Sequence, residues 1–249
     1  MLGSVLRRTW NTATDLLYPP QCLLCGRSVS DRLQRLCSPC ATLWAADTCA
    51  SACLRCGEPT GTEYDTDKLG CAACRNANLP VAGVIRVGVY GQALGPLIAR
   101  FKFSGDHAVG RALAGALADR LENATWRAEI HAVVPVPSSW QRRITRRVHT
   151  PTELAHVVAR RIGKPVVPVL RRIGNPRPQT GLDASRRRAN VRGTFGLRPG
   201  LALTGGTFLL IDDVITVRAT SFECAGILRG NGAETVYVAV LAKTSLSPR

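Results

Sequence analysis

Two acids, Asp212 and Asp213, follow directly on an apolar run, Phe208 to Ile211, and lead into a loop of small and hydroxylated residues. The run reads as a short strand buried on both faces. Acids at the carboxyl end of such a strand stand where open α/β sheets bind ligands. Capping of the next helix accounts for one acid; a second beside it favours a ligand site.

The other chemistry-bearing set is cysteine. Cys22/Cys25, Cys37/Cys40, Cys53/Cys56 and Cys71/Cys74 form four C-x-x-C pairs, spaced C-x2-C-x11-C-x2-C and C-x2-C-x14-C-x2-C. Two residues between thiolates let both face one ion, and Gly26 and Gly57 fall where a tight knuckle turn needs them. Two pairs complete a tetrahedral four-thiolate site, closed and therefore structural, so one or two Zn2+ ions are expected. A redox role needs one pair rather than four. Sequential and interleaved pairings are both compatible with the spacing. Cys49 is a spare ligand candidate near the second site, and Cys224 lies on an apolar helical face as a core residue.

Charge is the third signal. The chain of 249 residues has a net charge of +16. Between Trp140 and Arg198 fourteen Arg and one Lys stand against Glu153 and Asp183, a local net of +13. That concentration points to a polyanionic partner or substrate. Hydrophobic content of 45% with 20% charged residues fits a globular chain. No apolar window reaches the length of a membrane span, and Arg7 and Arg8 interrupt the apolar N-terminus. A cytoplasmic location is expected, and with it metal binding rather than disulfides.

These residues need elements to place them. Residues 1–20 suggest an amphipathic lead-in helix stopped at Tyr18-Pro19-Pro20, followed by a metal ribbon region at 21–78 that depends on metal for much of its folding energy. From 79 to 249 a second domain is expected. Val81–Tyr90 reads as a strand, Leu94–Phe103 and Val109–Leu121 as helices, Ile130–Val136 as a strand and Thr152–Ile162 as a helix. Val166–Leu170 reads as a strand, Phe208–Ile211 as the acid-bearing strand, Thr220–Leu228 as a helix and Val236–Leu241 as a strand. The alternation implies an α/β fold with a mainly parallel sheet. An Arg-rich insertion at 171–196 is long enough to act as a functional lid, with Leu182–Val191 a short helix presenting Arg186, Arg187 and Arg188.

Taken together, Y-P-P-Q-C-L-L-C-G, F-K-F-S-G-D, V-V-P-V-P-S, P-Q-T-G-L-D-A-S-R-R-R-A-N-V-R-G-T-F and L-L-I-D-D-V-I-T resemble the ComF family. The resemblance implies an N-terminal double zinc ribbon joined to a type I phosphoribosyltransferase-like domain. It implies that Asp212 and Asp213 meet the ribose hydroxyls of phosphoribosyl pyrophosphate. The loop Ile215, Thr216, Val217, Arg218, Ala219 and Thr220 would wrap its 5′-phosphate. Pro137, Ser138 and Ser139 would face the magnesium-bound diphosphate. The Arg177–Arg192 region, with Arg187 as a catalytic group, would close over an oxocarbenium-like transition state. It also implies a role in competence, on incoming single-stranded DNA.

Two departures fall on the phosphate-handling loops. Relatives read T-T-G-A-T where this chain has Thr216-Val217-Arg218-Ala219-Thr220, so Arg218 stands in place of Gly. Relatives read R-G-F-N-Q where this chain has Arg146-Arg147-Val148-His149-Thr150. They leave turnover open. A catalytically degenerate DNA-binding protein, or an adaptor docking through its ribbons, is the alternative use of the same fold.

Overall fold

In the computed structural model, residues 19–31, 34–60, 70–137, 148–173, 193–216 and 219–244 are described. Two compact units emerge, Met1–Ala46 and Asp47–Arg249. The lead-in helix and the short helix at 182–191 lie outside the described residues.

Within the first unit, Gln21 and Ser28 form an antiparallel bridge around the Cys22/Cys25 turn. Gly26 takes φ +75° and its N–H donates to the Cys22 carbonyl. Cys37 and Cys40 lie at the start of helix α1 (Ser38–Thr48), which spans the unit boundary. The second unit repeats the knuckle with the same spacing: Ala52 bridges Pro59, Cys53 N–H donates to Glu58, and Gly57 sits at φ +72°. The sequence groups both ribbons at 21–78. Packing instead places the second ribbon in one compact unit with the sheet. The Leu54 carbonyl accepts from Val84 N–H on the sheet's edge strand, and Leu79 and Phe222 pack on Cys53, Cys56 and Cys74.

The sheet contains β1 (Gly83–Val89), β2 (Ile130–Pro135), β5 (Thr207–Ile215) and β6 (Thr235–Lys243) in the order β1-β6-β5-β2, all parallel. Helices α2 (Leu94–Ser104) and α3 (His107–Glu122) follow β1, and α4 (Thr150–Ile162) follows β2. Gly105 ends α2 in the left-handed region, and Asp106 caps α3 by accepting from Ala108 and Val109 N–H. Helix α5 (Ala219–Gly230) connects β5 to β6 and buries Cys224, Ala225 and Leu228 among Val134, Leu210 and Val238. Cys224 is thus the core residue its helical face predicts.

One strand differs from expectation. Residues 166–169 make a single parallel bridge, Val133 to Val166, and the strand proper is β3 (Leu170–Arg172), antiparallel to β4 (Phe195–Leu197). Pro165 and Pro168 lack the N–H groups that a continuous ladder needs. The β3–β4 pair brackets the Arg-rich insertion, with Arg172 stacked 5.0 Å over the Phe195 ring.

Candidate functional site

Strand β5 does not stop at Ile211. It continues through both acids, pairing Asp212 with Val240, Val214 with Ala242 and Ile215 with Lys243, because β6 runs on beside it. In an all-parallel sheet the carboxyl ends share one edge. That edge gathers Asp212 and Asp213 with Lys243, and also the turn after β2, where Val136 N–H donates to the Ile211 carbonyl. Pro137 follows in that turn, half-buried.

The two acids have different surroundings. Asp212 is 8% exposed, and both of its oxygens are engaged: Ser221 Oγ donates to Oδ2 at 2.7 Å and the Asp213 N–H to Oδ1 at 2.8 Å. Burial pushes its carboxyl up to about 6, the Asp213 charge adds to the rise, and the Ser221 and Asp213 N–H bonds and Lys102 oppose it. Asp212 therefore ties β5 to the first turn of α5. Asp213 pairs with Lys102 Nζ at 2.8 Å, each side chain 13% exposed.

Lys102 lies within F-K-F-S-G-D, and its contact with Asp213 brings that motif to the same edge. The helix carrying it is fixed from outside: Asp47 accepts from Ala93 and Leu94 N–H, 2.8 Å each, at the start of α2. Gly91 permits this, since a Cβ there would lie 1.9 Å from Asp47 Oδ1.

Of the expected loop, Ile215 is buried and its carbonyl accepts from Thr244 N–H. Thr216 is exposed, Ala219 opens α5, and Thr220 and Ser221 lie in its first turn. The helix start is also tied outward, where Glu223 accepts from Gly193 N–H at 2.8 Å. Val217, Arg218, Ser138, Ser139, Arg146, Arg147 and Arg187 lie outside the described residues. His149 caps α4 by accepting from Thr152 N–H.

The cysteines assemble sequentially. Cys22, Cys25, Cys37 and Cys40 form one set and Cys53, Cys56, Cys71 and Cys74 the other, with all ligand atoms of a set within 4.8 Å of one another. Cys25 and Cys37 sulfurs are 3.6 Å apart, and Cys56 and Cys71 sulfurs 3.7 Å. A zinc–sulfur bond of about 2.3 Å gives a tetrahedral edge of about 3.8 Å, so both sets fit structural zinc. For Cys22, burial raises the thiol but the N–H groups of Cys25, Cys37 and Leu24 outweigh it, bringing it down to about 6; burial and the other thiols push Cys40 up to about 12. Cys49 joins neither set.

Residues 13–76 match the family model described as a double zinc ribbon domain. Across nearly its whole length the chain is similar to the DNA utilization protein YhgH of Escherichia coli O6:H1, 30% identical over 237 residues, covering 92% of this chain and 99% of that one. It is 28% identical over 192 residues to competence protein F of Haemophilus influenzae, covering 74% and 82%. The chain belongs to the ComF family. Among solved structures, adenine phosphoribosyltransferase of Trypanosoma brucei in complex with AMP, pyrophosphate and ribose-5-phosphate aligns over 58% of this chain and 66% of its own, at 15% identity and TM-score 0.36. As a ComF protein, the chain combines a parallel sheet flanked by helices with an N-terminal double zinc ribbon. Among the described residues no helix is long and apolar enough to cross a membrane.

Proposed function

We propose that the carboxyl edge of the sheet binds a 5′-phosphorylated ribose, as phosphoribosyl pyrophosphate or as the 5′-phosphate of a nucleotide. The observation that carries this reading is Asp213, held by Lys102 at the end of β5, one short loop before the N-terminus of α5. Asp213 accepts from the ribose hydroxyls, and Thr216 and the first N–H groups of α5 receive the phosphate. Lys102 neutralises the acid and presents a cation to the ligand's charged end. In this reading magnesium arrives on the oxygens of a diphosphate ligand. Phosphoribosyl transfer breaks the bond from C1 to the diphosphate oxygen and forms one to an acceptor. Arg187 and its neighbours are the proposed source of charge for that leaving group.

Titration calorimetry with phosphoribosyl pyrophosphate and magnesium tests the reading. The native protein is expected to bind. Asp213→Asn should weaken binding by about 1.5–3 kcal/mol, the range for a hydrogen bond to a charged group. No heat from the native protein at millimolar ligand would overturn it.

A second use of the same edge is favoured by charge. The +13 stretch between Trp140 and Arg198 suits a nucleic-acid backbone, and the relatives' names concern DNA utilization and competence. In this reading a cytoplasmic ComF protein handles single-stranded DNA taken up by the cell, seating its terminal phosphate in the same loop. Affinity for a 5′-phosphorylated single strand should then fall about 10³-fold or more between 50 and 200 mM salt if six or more phosphates are contacted. A flat salt profile in fluorescence anisotropy would count against it.

A further inference from the structure

Lys243 is the last residue of β6, and its side chain is 0% exposed. A buried ammonium is costly unless paired, and this one has a partner from the second ribbon: Glu58 Oε2 lies 2.7 Å from Nζ. On its other side Nζ faces the Thr216 carbonyl at 3.5 Å, the first residue past β5. Glu58 is placed by the knuckle itself, because its carbonyl accepts from Cys53 N–H while Gly57 N–H donates back to the Cys53 carbonyl. The knuckle is seated on the sheet. At Gly57 a Cβ would lie 2.9 Å from Val84 and 3.7 Å from the Lys243 stem. A continuous path thus runs from Cys53 of the second set through Glu58 and Lys243 to Thr216, at the start of the loop proposed to receive phosphate.

Arg86 lies buried on the neighbouring edge strand. Burial and Arg120 lower its basicity, with Glu58 acting in the opposite sense, and its Nη2 donates to the Ala50 and Ser51 carbonyls. Glu58 therefore faces two buried cations between ribbon and sheet, and Lys243 is the one that reaches the loop.

We propose that Lys243 is a positioning residue that couples the metal-loaded shape of the second knuckle to the start of the phosphate loop, so that phosphate affinity depends on a ribbon that never touches the ligand. The ligand half of this inference rests on the function proposed above; the coupling half does not.

Amide hydrogen exchange on the full zinc-loaded chain separates the two. Glu58→Gln, with zinc content verified by metal analysis, should speed exchange of the Val214, Ile215 and Thr216 amides about tenfold while leaving Phe208–Ile211 unchanged. Lys243→Met should do the same, and the double variant should exceed neither single by more than twofold, as coupled residues require. Inorganic diphosphate and ribose 5-phosphate should bind both variants about tenfold more weakly than the native chain. Unchanged exchange at 214–216, or fully additive effects, overturns the coupling. If the native chain binds neither probe, the proposed function fails while exchange still decides the coupling. Should Lys243→Met not fold, the near-isosteric Glu58→Gln carries the test.

Discussion

Loss of metal from the second cysteine set is expected to melt the sheet's edge along with the ribbon. Cys53, Cys56 and Cys74 are buried, and Leu79 and Phe222, the latter from α5, pack on them. Without the ion the four sulfurs face one another with no cation between them, and burial and neighbouring sulfurs push the Cys56 and Cys74 thiols up. The knuckle then keeps only its own backbone hydrogen bonds to fix its turn. Its release strips the Leu54 carbonyl from Val84 and the carbonyls of Ala50 and Ser51 from buried Arg86, and it leaves Lys243 an unpaired buried charge. Structural zinc contributes about 10–16 kcal/mol in isolated ribbons. Even a third of that, about 5 kcal/mol, is a large share of a domain's stability. Cys74→Ser should therefore lower the Tm of the second unit by about 10–20 °C. Calorimetric melts of the native chain and of Cys74→Ser, each with its zinc content measured, check this. A variant short of one zinc yet melting with the native chain would show that the knuckle is held by its packing alone.

That dependence explains what sequence could and could not reveal. Cysteine spacing and the knuckle glycines at 26 and 57 are local signals, and both knuckles form as the spacing predicts. The apolar run before Asp212 likewise identifies a buried parallel strand. Where that strand ends is decided by its neighbour, since β6 pairs as far as Lys243 and carries β5 through the acids to Ile215. Lys243 lies two residues beyond the strand expected at Val236–Leu241. It is buried because a ribbon covers it, and nothing in the periodicity of residues 236–241 registers a partner at residue 58. Lys102 was hidden for the same reason: its partner Asp213 lies across the fold on another element. Asp47 falls in the stretch expected to be ribbon, and only the tertiary fold makes it the cap of α2. Pairings between distant charges decide the character of this site, and a single sequence shows only their separate ends.

The same geometry divides the two acids by role, and pH exposes the division. An unfolded Asp titrates near 3.9, whereas burial beside Asp213 lifts Asp212 to about 6 in the fold. Between those values the folded chain holds the extra proton. Stability from this group is therefore full below about pH 4, falls as pH rises and is gone above about 6. Two pH units correspond to about 3 kcal/mol set against the fold at neutral pH. Asp212→Asn removes the ionisation and keeps the shape. One amide oxygen still accepts, and the Ser221 hydroxyl can turn to accept from the amide nitrogen; loss of the second acceptor costs about 1 kcal/mol. At pH 7.5 the variant should gain about 2 kcal/mol, a rise of about 4–8 °C in Tm. The gain should vanish toward pH 4, where native Asp212 is already protonated. Thermal melts from pH 4 to 8 decide it: a variant less stable at pH 7.5, with the native slope retained, would mean that Asp212 is ionised and fully compensated in the fold. A gain would identify Asp212 as an acid kept at a cost in stability to hold Ser221 and the start of α5. In that case Asp212→Asn should weaken ligand binding less than Asp213→Asn, because the Asp212 oxygens are turned inward, to Ser221 and the Asp213 N–H.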